Sequence, residues 1–139
     1  MYDKDNWKYY IMSNNIEGIK YLLDNNLIDI NIQINNSKSL LLLASAWNSI
    51  EIIKLLLSYK DINVNIQNKW KETALIWASL FNNIEIVKLL LNHPGINIFL
   101  KDIDGKTTLD YAKEKFYKEI ETLLINHDRK EKLKILKYV

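Results

Sequence analysis

Two histidines, His93 and His127, stand 34 residues apart, and imidazole is the side chain that most readily ligates a metal or carries a proton near neutral pH. Neither has a second histidine, a cysteine or a carboxylate pair beside it at ligand spacing, so both read as ordinary loop residues. The carboxylates recur instead. Glu17, Glu51, Glu85 and Glu119 share one phase, and Lys20, Lys54 and Lys88 follow three residues after the first three. An active site is singular, so this copied row reads as exposed i,i+3 ion pairs that aid solubility. The three glycines, Gly18, Gly95 and Gly105, are too scattered for a phosphate loop, and no nucleophile, base and acid stand in a suggestive set. The expectation is a protein that is no enzyme and carries no cofactor and no metal.

What must position any other site is a repeat. Ser45 to Leu57 reappears as Ser79 to Leu91 at an offset of 34 residues. Asn14, Asn48 and Asn82 keep that phase, as do Ala44, Ala78 and Ala112. A period of this length marks stacked small units, none able to bury its apolar face alone. In the unit from Asn68 to Lys101, Thr73 can cap a short helix from Ala74 to about Phe81. Asn82-Asn83 breaks it in a left-handed turn. A second helix runs from Ile84 to about Asn92, with Ile84, Val87, Leu90 and Leu91 as its apolar stripe. His93-Pro94-Gly95 stops that helix, and an extended stretch from Ile96 to Leu100 leads to the next unit. The small Ala44, Ala78 and Ala112 let paired helices approach closely.

A length of 139 residues suits one domain, and a net charge of +2 gives no general pull toward nucleic acid or an acidic membrane. The lack of cysteine excludes disulfides and thiolate metal sites and fits a reducing compartment, so a cytoplasmic protein is expected. The residues from Met1 to Trp7 lack the apolar core of a signal peptide, and no apolar run nears the roughly 20 residues of a membrane span. The excess of Asn, Ile, Lys and Tyr beside a single arginine, Arg129, reads as a codon bias toward A and T, not as a function of the asparagines.

The layout resembles the ankyrin repeat over nearly the whole chain. The fourth unit carries Asp102, Gly105, Thr107, Leu109 and Ala112. The third carries Thr73, Leu75, Ala78 and the run from Ile84 to Leu91. The second carries Leu41, Ala44, Ile50, Glu51, Ile53 and Lys54 to Leu57, and the first mainly its second helix, with Ile16, Glu17, Ile19, Lys20, Leu22 and Leu23. The resemblance implies an all-α solenoid of about four helix-turn-helix units with short hairpin loops. The units fall at approximately 1–33, 34–67, 68–101 and 102–127, with a capping helix over 128–139, in a single domain 1–139. Leu40, Ala74 and Thr108 replace the family proline, and Leu42, Ile76 and Asp110 its histidine, Asp110 being placed to reach back to Thr107 as a capping box. Ser37 and Lys71 replace the turn glycine, so looser hairpin tips are expected, and a left-handed Lys71 costs about 1 kcal/mol.

The end units are expected to serve as caps. Trp7 and Tyr10 supply bulk to cover the first unit. Phe116 stands where Asn82 breaks the third unit and is a poor left-handed residue, so the last two helices are expected to run together or to meet in a different turn. Lys118 and Glu121 replace apolar residues. In the tail, Leu133 and Leu136 are expected to pack back on the fourth unit while Lys130, Lys132, Lys134 and Lys137 face outwards.

In arrays of this family, turn tips and the end of the first helix line a concave face that grips partners. Carried over, those positions are Asn35, Asn36, Lys38, Ala46 and Trp47 in the second unit. The third gives Lys69, Trp70, Glu72, Leu80 and Phe81, and the fourth Ile103, Asp104, Lys106, Glu114 and Lys115. Trp47, Trp70 and Phe81 stand out, because aromatic residues at exposed scaffold positions are typical interface anchors. Trp77, in phase with Leu43 and Tyr111, reads as packing. The resemblance thus implies a monomeric, non-catalytic module that binds another protein through its concave face, with no nucleic-acid or membrane partner. One rival is a structural segment of a longer array with no partner of its own. The other is a small-molecule or single-stranded nucleic-acid surface on the Trp/Lys cluster, against which the acidic Glu72 and Asp104 speak.

Overall fold

The computed structural model describes residues 1–138. A 3₁₀ turn, Lys4–Asn6, leads into four helix pairs: α1 (Trp7–Met12) with α2 (Ile16–Asp24), α3 (Leu40–Ala46) with α4 (Ile50–Leu57), α5 (Ala74–Leu80) with α6 (Ile84–Leu91), and α7 (Thr108–Glu114) with α8 (Lys118–Leu136). The first helix of each pair has six or seven residues, too short to hold its shape in water. Stacking supplies what length does not. α1, α3, α5 and α7 pack in one layer, and α2, α4, α6 and α8 in the other. Leu40 to Ser45 are buried on every side, as a helix sandwiched between two neighbours and its own partner must be. The small Ala44, Ala78 and Ala112 are fully buried in that layer.

Ser39, Thr73 and Thr107 cap α3, α5 and α7, each accepting the amide three residues on. Asp110 completes the capping box on Thr107. Asn14, Asn48 and Asn82 turn the chain at φ of 54°, 52° and 53°. In the second layer the buried stripe of α6 is Ile86, Val87 and Leu90, with Ile84 and Leu91 only at its margins, because α6 presses against both α5 and its layer neighbours.

Several expectations are corrected. The helices of the fourth unit neither fuse nor meet in a new turn. Phe116 takes φ 58°, and the Tyr117 amide reaches the Ala112 carbonyl at 2.9 Å, as the Asn83 amide reaches Ala78 at 2.8 Å. Residues 128–136 form no helix of their own. They continue α8 without a break, so His127 is helical, and Leu133 and Leu136 stay 60 % and 64 % exposed with nothing to pack on. Val139, the end of the expected capping segment, lies outside the described residues. The stretch from Ile96 to Leu100 is not extended but folds into a turn, held by the Asn97 side chain accepting the Phe99 amide at 2.9 Å. Of the three expected ion pairs, Glu51–Lys54 and Glu85–Lys88 form at 3.2 Å each, whereas Lys20 turns to Asp24 one helical turn further on.

The asparagines are also structural. The Asn31 side chain donates to the Asp61 carbonyl at 2.9 Å and accepts from the Asn63 amide at 2.8 Å. One period later Asn65 does the same to Gly95 and Asn97, at 2.8 and 2.9 Å. Gln33 and Gln67 add parallel bridges to the carbonyls of Gln67 and Lys101. The position after Asn65 in this series is Phe99, and the one after Gln67 is Lys101, so both ladders stop there.

Candidate functional site

The hairpin tips form one edge of the first layer. β1 (Gln33–Ile34) pairs with β2 (Lys38–Ser39) in the second unit, across a turn in which Asn35 and Asn36 both take positive φ. Ser37, which replaces the family's turn glycine, is not left-handed, because two consecutive left-handed asparagines already close the turn. The third and fourth units turn differently. There the side chains of Asn68 and Asp102 each accept two amides from within the turn, and the left-handed residue is Lys71 (φ 59°) or Gly105 (φ 75°). Ile34 holds the equivalent place in the second unit and has no oxygen to offer, which accounts for the different turn.

These tips are not loose. The Lys69 amide donates to the Asn36 carbonyl at 2.7 Å, and the Ile103 amide to the Trp70 carbonyl at 3.0 Å. Three successive hairpins are thereby chained through main-chain bonds that no side-chain pattern reveals. Along this edge stand Asn35, Asn36, Lys38, Lys69, Ile103 and Asp104, all exposed, with Glu72 and Lys106 half-buried. The Lys69 ammonium lies 4.5 Å from the centre of the Trp70 ring, and Trp70 keeps 41 % of its surface open. Lys106 pairs with Glu114 at 2.9 Å and lies 5.4 Å over the Tyr111 ring. Tyr111 donates to the buried Asp102. Burial works to raise the Asp102 pKa, but the bonds from Tyr111 and from the amides of Lys106 and Asp104 outweigh it and hold the carboxyl below its ordinary value. The Asp102 carboxylate, with burial, in turn pushes the Tyr111 hydroxyl up.

The opposite ends of the same helices form the second edge. Trp47 and Phe81 are the C-cap residues of α3 and α5, 51 % and 58 % exposed, and Leu80 is half-buried beside them. Seven helical residues separate the two edges, about 10 Å. The fifteen positions singled out from the sequence therefore fall on one layer but in two rows, with Trp70 in one and Trp47 and Phe81 in the other.

Between and beyond these rows lie residues the sequence reading left aside. Trp77 is only partly buried, midway along α5. Tyr9 and Met12 are exposed on α1, at the phases of Trp77 and Leu80. Their phase was the available signal, obscured because the first unit matches the repeat mainly in its second helix. Phe116, 79 % exposed, follows Lys115, the C-cap residue of the fourth unit.

On the far side of the array a groove of about 460 Å³ runs between the end of α6 and α8, lined by His93, His127, Lys88, Lys130, Glu131 and Lys134. His93 Nδ1 accepts the Gly95 amide at 3.1 Å. Among the described residues no cluster of three or more histidines, aspartates or glutamates is placed to hold a metal ion, and no helix is long and apolar enough to cross a membrane.

The family model for ankyrin repeats (3 copies) matches residues 8–68 and 41–134 of the chain. A comparison with curated proteins gives no match.

Proposed function

Because the chain belongs to the ankyrin repeat family, we propose that it is a non-catalytic module that holds another protein on the concave face built by its first-layer helices and hairpin tips. Ankyrin repeats are in general protein–protein interaction modules, and in general not enzymes. The observation that carries the finer reading is the exposure of Trp47, Trp70 and Phe81 on one layer of the array. Large aromatic surface left in water is unfavourable, and a rigid scaffold that displays three such side chains is built to bury them against something. Lys38, Lys69, Glu72, Asp104 and Lys106 form the polar rim such an interface needs. In this reading the protein acts as a monomer in the cytoplasm, without cofactor, nucleic acid or membrane.

The test is capture of partners from the native lysate by the full chain, with Trp70→Ala and Phe81→Ala as controls. Each substitution is expected to weaken the genuine partner by at least about 2 kcal/mol, close to thirtyfold, while leaving the circular dichroism spectrum unchanged. Equal recovery of the same proteins by all three forms would remove this face from consideration.

A further inference from the structure

We infer that the occupant of this face is an α-helical segment of the partner, lying across the array with two apolar side chains seven residues apart and a carboxylate seven residues beyond one of them. The inference rests on the reading above and specifies its partner. The C-cap residues of α1, α3, α5 and α7 are Ser13, Trp47, Phe81 and Lys115, one from each unit in stacking order. Packed helices stand about 8–10 Å apart, so these side chains form a row with that interval. A segment that meets Trp47 and Phe81 with one face must return a side chain to that face at the same interval. An extended strand does not, because its same-face residues recur at about 6.6 and 13 Å. A helix does, because residue i+7 comes back to nearly the same face about 10.5 Å along the axis.

Charge fixes which end of the segment carries the acid. Lys115 is exposed, and none of the ion pairs among the described residues involves it. Its neighbour Glu114 is already neutralised by Lys106. At the other end of the row the Ser13 hydroxyl donates to the Tyr9 carbonyl at 2.8 Å and needs no partner. The row therefore reads neutral, aromatic, aromatic, cationic. The matching helix reads uncharged, apolar, apolar, acidic at steps of seven.

A displayed library of random peptides about 24–28 residues long, enough for three such steps, tests this on the full chain. Enriched sequences should show apolar residues at i and i+7, with Asp or Glu at i+14 or, for a segment running the other way, at i−7. The same selection on Lys115→Glu should exchange the acid for Lys or Arg, and Trp47→Ala or Phe81→Ala should weaken the selected peptides by about tenfold or more. Enrichment of alternating apolar residues, of no fixed interval, or of nothing overturns the inference, as does an acid preference that survives Lys115→Glu. If those results come while Trp70→Ala still abolishes capture of the native partner, the binding face stands and only the helical occupant falls.

Discussion

Phe116 holds φ 58° with 79 % of its surface in water, so the array gains no visible packing from its side chain and bears the strain of a left-handed aromatic. Replacing it by Asn, the residue its three counterparts use, should raise stability by about 1 kcal/mol in a urea titration. Ser79 gives a second prediction. Its hydroxyl is buried without a partner, whereas its counterpart Ser45 donates to the Leu41 carbonyl at 2.8 Å. Ser79→Ala should therefore be neutral or stabilising by up to about 1 kcal/mol, and Ser45→Ala destabilising by a similar amount. Asp102 gives a third. Its carboxyl is held below its ordinary 3.8, so the folded state binds its proton less readily than the unfolded one. That contribution is fully present above pH about 4 and is lost as pH falls through the lower folded value. Asp102→Asn, which keeps the oxygen that accepts the turn amides as Asn68 does, should flatten the acid limb of a stability-versus-pH curve below pH about 4. At this scale the sequence was legible wherever local chemistry decides. Thr73 as a cap, Asp110 in its box and Asn82 in its turn need only their neighbours. Phe116 was misread because stacking overrides its own preference.

The elements show the same division. Each helix pair is written in the apolar phase and the caps, so its existence follows from residues a few places apart. The bridges between units are not. Asn31, Asn65, Gln33 and Gln67 bond to main chain about one period away, and nothing local separates them from the surplus of asparagine that codon bias produces. Asn65→Ala removes two such bonds at once and should cost about 1–2 kcal/mol, read by thermal or urea unfolding. An equivalent change at Asn92, which is exposed and lies outside the ladder, should cost almost nothing. The chaining of hairpin tips was hidden for the same reason, since a main-chain amide and a main-chain carbonyl carry no mark in the sequence.

For the whole molecule, the repeat period decided the architecture, and the family's habit supplied the candidate face. What it did not supply was the separation of that face into two rows, which depends on where Trp70 and Phe81 stand at opposite ends of α5. The tail was misjudged because Leu133 and Leu136 look like packing residues until the course of α8 carries them past the fourth unit. Ending the chain after Asp128 should therefore shift the melting temperature little, whereas ending it before Ile120 and Leu124, both buried, should unfold the fourth unit. The broken ladder at Phe99 and Lys101 has a genetic consequence. A 34-residue block copied from within the second and third units brings both halves of every bridge and re-closes them at its new joints. A block copied from the fourth brings none. Tandem duplication can lengthen this array from its middle, but an extra copy joined after the fourth unit meets a surface with no amide to receive it.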